Sequence, residues 1–353
     1  MTHFTPTSWS RRTTLLGGLA AGAGFARPAK AAMTGFEAEL YASAKKEGEV
    51  TWYTAQILGE TAQRVVTAFQ TAYPGIKVNL LRASGQVLYQ RVMQELSMNA
   101  LQGDVIGLSD SGGQQAELKE AGHFAQYKPH RMAEVLPSFQ NIDPDGYYHT
   151  TNVNLAILVY NTKLVKPEDK PKTWLELADP KWKGKAAMGH PGFSSMSTSW
   201  VATMNRMYGW KYFENLAKND TQVTRNINDT TTLVTAGERA VGCTPVPTAR
   251  MGVARGNPVG VIYPEDGALL LVSPTGIAKN SKHPAAARLL MEYLLSAECG
   301  RVIVEDQGDS IRPDVPARPG EPALSQIKTI AATFEESKTM GALVEPFRNL
   351  FGF

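Results

Sequence analysis

Small hydroxylated residues and glycines recur in this chain where apolar runs that read as strands give way to helical patterns. Thr54 and Ala55 close "EVTWYTA" (49–55), Ser84 and Gly85 end the run that starts at Ile76, and Ser109, Asp110 and Ser111 follow "DVIGL" (104–108). In the second half Gly192, Ser194 and Ser195 follow "GKAAMGHP" (184–191), and Asp229 and Thr230 follow "QVTRNI" (222–227). Thr244 in "RAVGCTPV" and Glu265 in "YPEDG" complete the candidate set. At the carboxyl ends of strands in open α/β sheets, helix N-termini present free backbone N–H groups and a partial positive charge, and a short hydroxyl lets a ligand approach and adds a hydrogen bond. Such groups capture a small solute; they do not make or break bonds. Each residue taken alone is equally an ordinary helix cap, because Ser, Thr and Asp are the preferred N-cap types. Recurrence in both halves is what points to a ligand.

Catalytic constellations are missing. There is no Walker loop, no HExxH and no nucleophile elbow, since Gly107-Leu108-Ser109-Asp110-Ser111 ends in Ser where the elbow needs Gly. The six histidines include no pair at metal spacing on one helix, and no CxxC or Cys/His cluster occurs. A binding protein without cofactor or metal is therefore expected, not an enzyme. Cys243 and Cys299 either pair with each other or sit apart as buried thiols.

The elements that must carry these residues alternate. After "EVTWYTA", Ala62, Val65, Val66 and Phe69 mark one helix face, and the next helix shows Leu88, Val92 and Leu96. With the strand at 104–110 this gives β-α-β-α-β with short loops, the signature of a helix-covered parallel sheet. A strand-rich boundary at 147–165 opens a second α/β set, which runs through "VIYPEDGALLLVSPTGIA". A helix is expected at 283–296, with Pro284 in its first turn, and a last long helix near 322–349.

The N-terminal stretch reads as an address. Ser10-Arg11-Arg12 precedes only eleven apolar or small residues, Leu15 to Phe25, against the roughly 20 needed to cross a bilayer as a helix. The pattern fits twin-arginine export with cleavage after Ala31, so residues 1–31 are expected to be a signal and the product to be periplasmic. The full chain has 36 Lys+Arg and 33 Asp+Glu; removing Arg11, Arg12, Arg27 and Lys30 leaves 32 bases against 33 acids. No basic stripe with interleaved aromatics remains, so nucleic acid is not an expected partner.

Taken in order, "VTWYTA", "AFQTAYPGIKV", "VYNTKLV" and "PKTWLELADPKWKGKAAM" resemble the periplasmic solute-binding proteins of ABC importers, in the branch that holds the ferric-binding proteins and their organic-solute relatives. The resemblance implies a type II two-lobe α/β fold, each lobe a sheet flanked by helices, with the ligand cleft between the lobes. It implies a first lobe over 32–150, a second over 151–260 and a return to the first over 261–353, with C-terminal helices packing across both. It also implies a monomer that hands its solute to an inner-membrane permease, flexing at crossings near 151–158 and 258–264. Ferric members of that branch carry a His after the first strand, a Glu after the second and paired tyrosines ahead of "YPEDG". Here Ile57 and Gln86 stand near the first two positions, and "VGCTPVPTAR" (241–250) has no tyrosine. Tyr147 and Tyr148, adjacent but ahead of the crossing, read as core or surface aromatics. The expected ligand is therefore a small organic anion, a carboxylate, phosphonate or phosphorylated compound, with ferric iron or a ferric chelate as the alternative cargo and an exported enzyme as the second alternative. Arg225 is the leading candidate for a bidentate contact, Arg82 and Arg250 weaker ones, and Tyr53, Tyr160 and Trp200 are candidates to pack on the solute.

Overall fold

The computed structural model describes residues 33, 35–109 and 113–353. The twin-arginine stretch, the cleavage position at Ala31, and Asp110 and Ser111 lie outside the described residues. The first part of the chain alternates: α1 (Gly35–Glu47), β1 (Glu49–Thr54), α2 (Gly59–Ala72), β2 (Lys77–Arg82), α3 (Gly85–Ser97), β3 (Val105–Gly107) and α4 (Gly113–Glu120), then a short β4 (Phe124–Ala125). The long β5 (Tyr148–Asn161) leads to β6 (Ala186–Gly189), α5 (Ser195–Tyr208), α6 (Lys211–Lys218), β7 (Gln222–Thr224), α7 (Asp229–Ala236), β8 (Val241–Pro245), α8 (Val246–Ala254) and β9 (Val259–Ile262). Then come β10 (Ala268–Ala278), α9 (Pro284–Leu294), α10 (Ala297–Glu305), β11 (Thr329–Ile330), α11 (Phe334–Thr339) and α12 (Val344–Phe351).

Strand order along the sheet is β2-β1-β3-β10-β5-β8-β6-β7. In the first lobe β1 runs parallel to β2 and β3. Trp52 and Tyr53, neighbours on β1, enter two different cores, one against α2 and α9 and the other against α3 and α4. A strand end covered on both faces carries apolar side chains on each, which is why Trp52 and Tyr53 follow one another without alternation. Along β5, likewise, Ala156, Leu158 and Tyr160 face one core of the second lobe, and Leu155, Ile157 and Val159 face the other.

Two strands join the lobes. β5 starts with Tyr148 in a first-lobe core and ends with Leu158 and Tyr160 in the second. β10 runs back, with Leu269 and Leu271 in the second-lobe core and Ile277 in the first. The pair is antiparallel, and its register shifts between Ser273 and Pro274, where proline cannot donate to the ladder.

The second crossing thus lies at 268–278, not at 258–264. β9 stays in the second lobe, paired with β5 through Leu158 and Ile262. The apolar run from 259 to 278 is divided by the "YPEDG" turn, where Gly267 takes φ +115°, a conformation L side chains rarely adopt. The long helix expected at 322–349 is also divided. Thr333 and Glu336 form a reciprocal cap that begins α11, and a 3₁₀ turn at Met340–Leu343 separates it from α12. Phe347 of α12 is fully buried in the second-lobe core. α11 is held to the second lobe by Arg206–Glu336 (2.9 Å) and touches the first, where a Cβ on Gly113 would come within 3.1 Å of the Ser337 carbonyl.

Cys243 and Cys299 are both free thiols, buried in the cores of different lobes. Burial pushes the Cys299 thiol up to about 12. No helix among the described residues is long and apolar enough to cross a membrane.

Candidate functional site

Between the lobes lies a cleft of about 420 Å³. The first lobe contributes Ala55 to Leu58, Arg82, Ser84, Gly85, Val87 and Ser109; the second contributes Phe193 to Met196, Arg225 to Asp229, Pro247 and Thr248; Asn152 and Asn154 come from β5. Two helices open into it. α3 begins at Gly85 behind Ser84, whose extended backbone sets the N-cap while its hydroxyl makes no cap bond. α5 begins at Ser195 behind Ser194, whose side chain accepts weakly, at 3.4 Å, from the Ser197 N–H. These two helix starts touch: a Cβ on Gly85 would lie 2.4 Å from Ser195 Oγ. Each helix start carries about half a positive charge, so two like poles meet here and repel unless an anion lies with them.

Two arginines reinforce that field from opposite lobes. Arg82, the last residue of β2, donates from Nε to the Ile57 carbonyl (2.9 Å), and desolvation holds its pKa below the usual range. Arg225, just after β7, lies over the Phe193 ring at 4.9 Å. Among the described residues neither makes an ion pair. Asp306, also at the cleft, is engaged by Arg64 at 3.1 Å.

The floor of the cleft is tied by a residue that sequence reasoning missed. Gln56 is buried, and its Nε2 donates to the carbonyls of Ser273 (2.8 Å) and Pro274 (2.9 Å) on β10. Its Oε1 accepts from Thr151 (3.1 Å), and its backbone carbonyl accepts from Asn154 (2.7 Å), both on β5. One side chain therefore holds the first-lobe loop to both crossing strands, beside the register shift. A Cβ on Gly107 would come within 2.8 Å of this carboxamide, so the small residue is needed there. A lone glutamine after a strand carries no periodic or motif signal; only the adjacent glycine-ended β3 hints at a tight approach.

Of the sequence candidates, Ala55, Ser84, Gly85, Ser109, Ser194, Ser195, Arg225 and Asp229 line the cleft. Thr54 lies behind it, fully buried, with its hydroxyl accepting from the Gln56 N–H at 3.3 Å. Gly192 packs against His190, donating its N–H to Nδ1 at 2.9 Å. Thr230 and Thr244 are fully buried in the second lobe, and Thr244 accepts from Thr231 at 2.8 Å. Glu265 is exposed on the turn between β9 and β10, where its carbonyl accepts from Lys328. Arg250 is buried away from the cleft against Asp309 (3.0 Å) and Tyr263 (2.8 Å). Tyr53, Tyr160 and Trp200 are core residues, because each ring is almost wholly covered by its own lobe. Tyr148 is core as well, and Tyr147 lies half-buried under Lys119. Ile57 lines the cleft, whereas Gln86 is exposed outside it. Neither tyrosine nor histidine lines the cleft among the described residues.

The chain is 26% identical over 272 residues to Iron uptake protein A2 of a Synechocystis species, covering 70% of this chain and 75% of that protein. It is 24% identical to a Salmonella typhimurium protein named as a putative 2-aminoethylphosphonate-binding periplasmic protein, covering 76% and 77%. In structure it is similar to the periplasmic binding protein AfuA of Actinobacillus pleuropneumoniae, solved with fructose-6-phosphate bound: TM-score 0.74, 21% identity, 87% of this chain and 99% of that one. The family model for bacterial extracellular solute-binding proteins matches residues 106–334, from β3 on the first lobe through the whole second lobe and back. With the two lobes, the crossing strands and the cleft between them, this chain belongs to the bacterial extracellular solute-binding protein family.

Proposed function

We propose that this protein is the periplasmic binding component of an ABC importer, taking up a small organic anion and delivering it to a membrane permease. The observation that carries the reading is the pairing of Arg82 and Arg225, one from each lobe and neither ion-paired among the described residues, around a cleft into which two helix N-termini open. A carboxylate or phosphate there bridges the lobes and neutralises four sources of positive potential that otherwise oppose closure. The protein acts as a monomer and performs no chemistry on its solute. Export by the twin-arginine route with cleavage after Ala31 belongs to the proposal and rests on the sequence alone.

Iron names one relative, but the donor set here argues for a different cargo. Fe(III) is a hard ion that takes anionic oxygen ligands, and the cleft lining offers no phenolate among the described residues. A thermal-shift screen of the chain from residue 32 onward tests this. Carboxylates, phosphonates and phosphorylated compounds are set against Fe(III) with a non-coordinating counter-ion. A ligand at 100 times its Kd adds about 2.7 kcal/mol, enough to register. Stabilisation by iron with silence across the organic anions overturns the reading.

A further inference from the structure

The cleft is rich in charge, and several of its amide groups are committed to the protein itself. The Gln56 carboxamide is used up between β5 and β10. Asn226 Oδ1 accepts from the Asn228 backbone N–H (3.1 Å) and side-chain amide (3.0 Å), and Asn228 Oδ1 in turn accepts from Thr248 (2.5 Å). Hydrocarbon also faces the open space. Val87, on α3 of the first lobe, is 60% exposed, and Phe193, on the loop before α5 of the second lobe, is 49% exposed, although both line the cleft. Exposed apolar side chains concentrated in a concave site mark what the ligand covers.

We infer that the solute is an anion with an apolar, hydroxyl-poor body: the head lies on the arginines and helix starts, and the body lies between Val87 and Phe193. This rests on the anion reading above and narrows it. A sugar phosphate would bring several hydroxyls against these two apolar side chains, and each hydroxyl buried there without a partner weakens binding. An aryl or branched alkyl body has no such demand, and it removes Val87 and Phe193 from water. Phe193 is placed for both duties, since Arg225 lies over its ring at 4.9 Å and the head and body of the solute then meet at one side chain.

The test is calorimetric titration of the chain from residue 32 onward with phenyl phosphate, phenylacetate, glucose 6-phosphate, inorganic phosphate and neutral benzyl alcohol. The two phenyl anions are expected to bind at least tenfold more tightly than inorganic phosphate, and glucose 6-phosphate no more tightly than inorganic phosphate. Phe193→Ala and, on the other lobe, Val87→Ser should each reduce the preference for phenyl phosphate over inorganic phosphate at least threefold, with Phe193→Leu retaining most of it. Glucose 6-phosphate binding more tightly than phenyl phosphate overturns the inference and leaves the anion reading standing. Benzyl alcohol binding as tightly as the phenyl anions, or no binding by any of the four anions, overturns both.

Discussion

Arg225 and Arg250 belong to the same lobe and have opposite surroundings. Arg250 is buried and ringed by acceptors: Asp309, Tyr263, the Gln307 carbonyl and Glu321. Arg225 is exposed in the cleft with an aromatic ring beneath it and no carboxylate against it among the described residues. The fold has supplied one guanidinium with its counter-charge and left the other to find one outside the protein. Sequence treated both as candidates for the same task; surroundings separate them.

The comparison is broken most severely at Arg250. Arg250→Ala leaves Asp309, only 8% exposed, without its partner, which should cost roughly 3–5 kcal/mol in chemical denaturation. Burial already pushes the Asp309 carboxyl above its ordinary range, and Arg250 only partly offsets this. The pair is therefore costly to bury as well as costly to split, so the double variant Arg250→Met/Asp309→Leu should recover most of the lost stability. A single variant as stable as the parent would contradict the structural role assigned to Arg250.

Arg225→Ala should do the reverse. Loss of charge-assisted hydrogen bonds worth roughly 1.5–3 kcal/mol weakens anion binding about 10- to 150-fold. Stability without ligand should stay within about 0.5 kcal/mol of the parent, as for other exposed substitutions. Calorimetry on the anion that the screen selects, with a melting curve of the free protein, checks both halves. Binding unchanged in Arg225→Ala would place the head of the solute elsewhere.

How far this was legible in the sequence depends on the range of the interaction concerned. Strand-helix alternation is local, so β1 to α4 emerged within a few residues of their positions, and the cleft-facing hydroxyls emerged with them because they sit where strands end. The crossing at β10 did not, because an apolar run reads alike whether or not a glycine at φ +115° divides it. Thr230 and Thr244 could not be told from ligand contacts, since a threonine buried within its own lobe, as Thr244 is where it accepts from Thr231, has the same local pattern as one that bonds a solute. Gln56 was hidden for a related reason: its partners at Ser273 and Pro274 lie over two hundred residues away along the chain.

A smaller effect is expected at Gly85, where the lobes touch. Gly85→Val puts branched carbon against Ser195 of the other lobe, and overpacking of this kind costs roughly 1–3 kcal/mol. The cost falls on the closed arrangement alone, because the clash is between lobes. Anion affinity should drop about 5- to 150-fold, while melting of the ligand-free protein hardly changes. Small-angle scattering should show the variant remaining more open in the presence of ligand than the parent does. Equal affinity in both would mean that the contact is not part of the bound state.

The smallest expected effect comes from pH and leaves the arginines out, because both remain charged throughout the accessible range. His149 in the first lobe and His190 in the second are each held below the ordinary histidine value of 6.5: His149 by desolvation against a counter-pull from the Tyr127 carbonyl, His190 by desolvation and then by Arg348. A lowered native pKa means that the unfolded chain binds the proton more readily. Stability is therefore full above about 6.5 and falls as pH drops from there through the lowered native values. At His190 protonation has a second consequence, because Nδ1 accepts the Gly192 N–H and an imidazolium cannot accept. Gly192 leads directly into Phe193 and Ser194 at the cleft, so acid should loosen the second-lobe wall while His149, bonded away from the cleft, affects stability alone. With His190→Asn, the acid-side loss of anion affinity between pH 7 and 5 should shrink, after correction for the ligand's own titration. With His149→Gln only the stability profile should flatten. If His149→Gln changes the pH dependence of binding as much as His190→Asn does, the separation drawn here between a wall of the cleft and the body of the lobe does not hold.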